Sequence, residues 1–105
     1  MAGFPDVLAH CTGFEWNAGN AEKNWSTHRV SQAECEQVFF SRPVVIAPDL
    51  AHSGSEARFA ALGTTHAGRR LSVVFTIRAT LVRVISARDM SRRDRRIYAQ
   101  VEAAQ

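Results

Sequence analysis

The sequence predicts an α+β fold: a small antiparallel β-sheet meander with helices on its N-terminal side and one helix after it. Three observations carry this expectation. Apolar residues recur at helical spacing between Phe4 and Phe39, the period switches from 3.6 to 2 at Val44, and a capped helical pattern returns at Ser91. At 105 residues there is room for one domain, and 46% hydrophobic against 22% charged residues supply a core without metal or disulfide staples.

The elements follow in order. Phe4, Val7, Leu8 and Cys11 form a helical stripe with Pro5 and Asp6 in a favourable first turn, so residues 1–13 read as an N-terminal helical extension. Phe14-Glu15-Trp16 alternates like a short edge strand. In Asn17 to His28, Ala18, Ala21, Trp25 and His28 share one stripe of a helix, which turns Glu22 and Lys23 outward and makes Trp16 and Trp25 expected core anchors. Ser31-Gln32-Ala33-Glu34 has the S-x-x-E form of a capping box, opening a second helix that buries Cys35, Val38 and Phe39 and ends by Pro43.

From Val44 to Ala47 the chain reads as a buried strand, and Pro48 to Glu56 as a surface loop. Strands are expected at Arg58–Thr65, Leu71–Arg78 and Leu81–Arg88, joined by a connection containing Gly68 and by the pair Ala79-Thr80; both are hairpin lengths. In the middle one, Leu71, Val73, Phe75 and Ile77 share one face, and Ser72, Val74, Thr76 and Arg78 the other, a partly polar candidate binding surface. Ser91-Arg92-Arg93-Asp94 caps a last helix whose buried stripe is Ile97, Tyr98 and Val101.

The net charge of +3 conceals a division. Residues 1–57 hold three cations against seven acids; residues 58–105 hold ten arginines against Asp89, Asp94 and Glu102, so the halves stand at −4 and +7. Twelve Arg to one Lys favours a phosphate-bearing polyanion, because the guanidinium fork binds phosphate oxygens in pairs. Arg92, Arg93, Arg95 and Arg96 crowd the start of a helix, where cations oppose the macrodipole, so an anionic partner is expected to stabilise them. No apolar run reaches the roughly 18 residues of a membrane span, and Asp6 stands where a signal peptide carries positive charge, which leads to an expectation of a cytoplasmic protein without membrane contact. Cys11 and Cys35 lack a C-x-x-C spacing and read as reduced thiols; His52 and His66, in polar connections, have no ligand cluster, so neither metal nor cofactor is expected.

Several words along the chain resemble the BrnT toxins. These are FEW at Phe14 to Trp16, GNAEKNW at Gly19 to Trp25, H-x-V at His28 to Val30, and ECEQVFF at Glu34 to Phe40. They continue with HS-x-x-E-x-RF from His52 to Phe59, ALG-x-T from Ala61, GRRL, VVFTIR, and VRVISARDMSRRDRRIY from Val82 to Tyr98. The toxin-like stretch is thus 14–98. The resemblance implies a RelE-like fold and the toxin component of a type II toxin–antitoxin system, a metal-independent endoribonuclease that inhibits translation. It also implies neutralisation by a BrnA-type antitoxin, through which alone operator DNA would be met. Where that family reads aspartate, lysine and glycine, this chain has Asn17, Thr27 and Arg29.

Metal-free RNA cleavage needs a base for the ribose 2′-OH, cations for the pentacoordinate phosphate and an acid for the leaving oxygen. His28 is the proton shuttle expected near neutral pH, with Lys23 as a second base or phosphate ligand. Arg58, Arg83 and Arg88 sit on strands, where rigid backbone aims a guanidinium, and Tyr98 is a candidate proton donor. Arg78, Arg92, Arg93 and Arg96 are expected to hold flanking phosphates. The alternatives are a non-catalytic subunit of a DNA-bound toxin–antitoxin repressor complex and a plain RNA-binding module.

Overall fold

The switch of period at Val44 divides the molecule as expected, and side-chain caps set where each helix begins. The computed structural model describes residues 6–50 and 54–105; Phe4, Pro5 and His52 lie outside them. A 3-10 turn at Asp6–Leu8 precedes strand β1 (Gly13–Glu15), helix α1 (Ala18–His28) and helix α2 (Gln32–Phe39). Strands β2 (Val45–Pro48), β3 (Phe59–Thr64), β4 (Arg70–Arg78) and β5 (Leu81–Asp89) follow, then helix α3 (Arg92–Ala103). The Ser31 and Ser91 caps are both reciprocal: each hydroxyl accepts the amide of Glu34 or Asp94, whose carboxylate returns to the serine amide. Asn17 and Asn20 make the same exchange at the start of α1.

The sheet order is β1-β5-β4-β3-β2. Strands β2 to β5 form the expected antiparallel meander, but β1 runs parallel to β5, so the sheet is mixed. Three alternating residues do not encode strand direction, which is set here by the two helices that carry the chain away before β2 begins.

Beyond Arg83, β1 has ended, and α1 takes over the exposed edge of β5. Asn20 Nδ2 donates to the Val84 carbonyl at 3.0 Å, and Asn24 Oδ1 accepts from the Ala87 amide at 3.0 Å. These buried asparagines therefore satisfy backbone groups that would otherwise lose water without gaining a partner. The expected apolar stripe of α1 is corrected accordingly: Asn20 and Asn24 face the sheet, while Trp25, half exposed, and His28 face solvent. Trp25 is not a core anchor, whereas Trp16 packs against the core and donates to Glu36 at 2.8 Å.

One face of the sheet buries Ala61, Leu71, Val73, Phe75, Val82, Val84 and Ala87 beneath Val30, Cys35, Val38 and Phe39. Leu8, with Val7 and Cys11 beside it, joins this cluster, so the described part of the N-terminal extension packs onto the domain. Gly63 lets α2 approach closely, since a Cβ there would stand 2.9 Å from the Val38 carbonyl oxygen. On the opposite face α3 covers only one end, through Tyr98, Met90, Leu62 and Val45. β2 is half exposed rather than buried, as befits an outer strand.

Candidate nucleic-acid interface

The part of that second face beyond α3 is built by register; Ser72 and Thr76, expected to line a binding surface, are buried on it, while Arg78 and Arg88 are exposed. Glu15 lies beside Arg83 on β5, and Arg83 beside Thr76 on β4. Arg88 lies beside Ser72, which lies beside Leu62. Thr76 and Ser72 are four residues apart, so their partners project to the same side of the sheet. Arg83 and Arg88, five residues apart, would project to opposite sides of a regular strand. A bulge resolves this: Val74 pairs with Ser86 and Phe75 with Val84, leaving Ile85 as an extra residue. Both arginines thereby share the open face, about 13 Å apart along the strands at the usual rise per residue.

At the far end of this face each arginine meets an acid. Arg83 lies 3.6 Å from Glu15, and Arg78 bonds Glu56 at 3.2 Å. The Arg78 hydrogen bond, helped by the charges of Arg58 and Arg83, holds the Glu56 carboxyl below its ordinary range. At the near end Arg88 bonds Asp94 Oδ2 and the Asp89 carbonyl, both at 3.0 Å. Burial alone raises the Asp94 carboxyl, but the Ser91 amide and Arg88 outweigh it and bring it down.

Arg69 organises the corner where α1, α2 and β5 meet. Its guanidinium bonds both Asp89 oxygens, both Glu34 oxygens, and the carbonyls of His28 and Arg29. It thus closes the C-terminus of α1, where carbonyls lack helical partners. His28 stands exposed at this corner, and its charge and that of Arg95 act on Asp89. Sequence reasoning missed Arg69, Glu15, Glu56, Asp89 and Asp94. One signal was available: the three acids of residues 58–105 are few among ten arginines, and each holds one, Asp89 with Arg69, Asp94 with Arg88, Glu102 with Arg70.

The expected catalytic set does not gather at one point. Arg58, Arg78 and Arg83 lie at one end of the open face, Arg88 and His28 at the other end of β5. Lys23 is exposed on α1 but five positions before His28, which turns it about 140° away around the helix. Tyr98 is fully buried, and its hydroxyl donates to the Pro43 carbonyl at 2.6 Å, so it anchors α3 rather than facing the open side. Ile97, expected in the same buried stripe, is exposed. Arg92, Arg93 and Arg96 are exposed, and their side chains make no hydrogen bond or ion pair among the described residues. Among the described residues no group of His, Cys, Asp or Glu could hold a metal ion, and no helix is long and apolar enough to cross a membrane.

Compared with known families, residues 16–94 match the family model of the ribonuclease toxin BrnT of type II toxin–antitoxin systems. The chain belongs to the BrnT family. Curated proteins searched with the same sequence return no match. The BrnT match takes in the whole β3–β5 meander, the Arg69 corner and the first turn of α3. As a BrnT toxin, the chain is a ribonuclease toxin with an antitoxin partner. Two of the departures noted in the sequence are helix caps: Asn17 caps α1 as an aspartate can, and Arg29 adopts the left-handed conformation, φ 54°, that suits glycine.

Proposed function

We propose that this BrnT toxin is a metal-independent endoribonuclease of the cytoplasm, that it binds single-stranded RNA across the open face of its sheet, and that a BrnA-type antitoxin neutralises it. One observation carries the reading: the bulge at Ile85 brings Arg83 and Arg88 to the same side of the sheet, next to the exposed arginines at the start of α3. In this reading Arg88 stabilises the pentacoordinate phosphate, and His28, exposed at the same end of β5 beside Asp89, moves the proton. Arg58, Arg78 and Arg83, about 13 to 20 Å away along the strands, hold phosphates further along the same RNA strand, as do Arg92, Arg93 and Arg96 on the other side. Pairing with acids in the free protein keeps the strand arginines fixed in direction until phosphate competes for them.

The non-catalytic repressor-subunit reading draws support from one finding, that neither Lys23 nor Tyr98 joins His28 to complete an acid–base pair. Purified chain incubated with RNA and EDTA separates the two. Cleavage that disappears in Arg88→Ala and His28→Ala supports the nuclease; intact RNA at micromolar protein, with operator retention altered by Arg88→Ala in the antitoxin complex, supports the other.

A further inference from the structure

The outer flank of α1 presents a large ring to solvent. Trp25 is 50% exposed, and the Arg29 guanidinium carbon lies 5.3 Å from its ring centroid. Arg29 is the C-cap of α1, with φ 54° and ψ 43°, a left-handed conformation that costs any residue bearing a Cβ. An exposed indole and a strained arginine lying over it are two local costs at one place, a pattern that collects at binding sites. His28 follows Trp25 by three positions and Arg29 by four, so the three side chains share a flank of the helix.

The charges around this flank select its occupant. Asp89 and Glu34, the acids of the adjoining corner, are both already held by Arg69. Arg95 on α3 carries its charge to Asp89 at the same corner, as His28 does, and Arg92, Arg93 and Arg96 are exposed on the first turns of that helix. The helical neighbours of Trp25 on its exposed side, Glu22, Ser26, His28 and Arg29, are polar, so the indole is an isolated flat face and not part of the apolar patch a protein interface uses. An exposed aromatic face with a guanidinium beside it is an arrangement that holds unpaired bases, with Glu22 the one acid among the ring's helical neighbours.

We infer that Trp25 and Arg29 form a stacking platform for one unpaired base of single-stranded RNA, with Arg29 holding the adjoining phosphate and the arginines of α3 the phosphates beyond. This rests on the reading that the chain takes RNA, and it adds the place where a base is gripped beside His28.

The test is binding of a 2′-O-methyl RNA oligonucleotide, which lacks the nucleophile for cleavage, to the full chain. Trp25→Ala and Arg29→Gly should each weaken binding roughly tenfold. Trp25→Phe should retain most of the affinity while abolishing the RNA-induced quenching of indole fluorescence. Arg29→Gly should melt no lower than the parent, since glycine relieves the left-handed strain, so its loss of binding cannot come from loss of fold. Affinity unchanged in both variants overturns the platform, as does unchanged RNA affinity with weakened antitoxin binding, which assigns the flank to the protein partner. If the parent binds the oligonucleotide through Trp25 but leaves ordinary RNA intact, the platform stands and the nuclease reading falls; if it cuts RNA and Trp25→Ala binds and cuts equally well, the platform alone falls.

Discussion

Arg69 grips both oxygens of Asp89, Nε to Oδ1 at 2.9 Å and Nη2 to Oδ2 at 3.2 Å, while its remaining donors take the carbonyls that end α1. The pair joins the end of β5 to the end of α1. With only 27% of its side chain exposed, Arg69 is screened less than a surface cation. Arg69→Ala leaves two helix carbonyls and two carboxylates short of a partner and should cost about 2 kcal/mol in urea denaturation. Arg69→Lys should restore little, because a point charge cannot reproduce the fork. A stability equal to that of the parent would refute this role.

Acid should act on the same corner. The Arg69 hydrogen bonds hold the Asp89 carboxyl below its ordinary 3.8. Burial alone raises the Glu34 carboxyl, but the Ser31 amide and Arg69 outweigh it and bring it below 4.5. A carboxyl lowered in the folded state contributes stability that is complete above its unfolded value and lost as pH falls through its folded value. Stability should therefore hold steady down to about pH 5 and decline below it. In Arg69→Ala the decline should be shallower, as chemical denaturation at a series of pH values will register.

Arg78 is tied to Glu56 at the far end of the open face, and the pair is solvent-exposed. Glu56→Gln frees the guanidinium and removes a negative charge from the proposed RNA path. Affinity for single-stranded RNA should rise about two- to fivefold, the range that exposed ion pairs are worth. Arg83→Ala should lower it and reduce the slope of log K against log salt by about one. Fluorescence anisotropy over a salt series measures both, and an E56Q variant that binds more weakly would show that Glu56 does not compete with RNA.

Asn24 accepts the Ala87 amide while fully enclosed. Asn24→Ala orphans that buried donor and should cost about 1 to 3 kcal/mol. Asn24→Leu supplies no acceptor and should cost as much as Asn24→Ala, and Asn24→Asp, which keeps one but buries a carboxylate at neutral pH, should be tolerated no better. Melting temperatures of the three variants rank the cost.

Cys35 is buried, and desolvation, with the charges of Glu34 and Glu36 adding to it, pushes its thiol up to about 12. The nucleophilic thiolate is then nearly absent at pH 8. Iodoacetamide should label Cys11, partly exposed, well before Cys35, and Cys35 at the rate of unfolding. Mass spectrometry of tryptic peptides distinguishes the two sites.

Much of this was legible locally. The S-x-x-E and S-x-x-D words became reciprocal caps, and Ala79-Thr80 became the tight link between β4 and β5, with Ala79 at φ 54°. The faces of β4 followed from alternation alone. What escaped depends on partners distant in sequence. Asn20 and Asn24 look like surface residues until β5 presents unpaired backbone 64 and 63 positions away. Apolar spacing consequently turned α1 the wrong way and placed Trp25 inside. The extra residue at Ile85 leaves no mark in composition, and the hold of Arg69 on two carbonyls needs no particular local word. The site residues were recognised by type, while their division between the two ends of β5 is a matter of register.

The bulge also makes this surface a matter of counting. If Ile85 were kept but laid into a regular ladder instead of bulging out, everything after it would turn over. Ala87 would point to the open side, and Arg88 would be driven into the packed layer under α1. Substitutions can tune the arginines one at a time, yet losing the bulge while keeping its residue would take Arg88 from the face outright. The length of β5 and its bulge are therefore coupled: both arginines keep one face with the extra residue bulged out or absent, but not with it in the ladder.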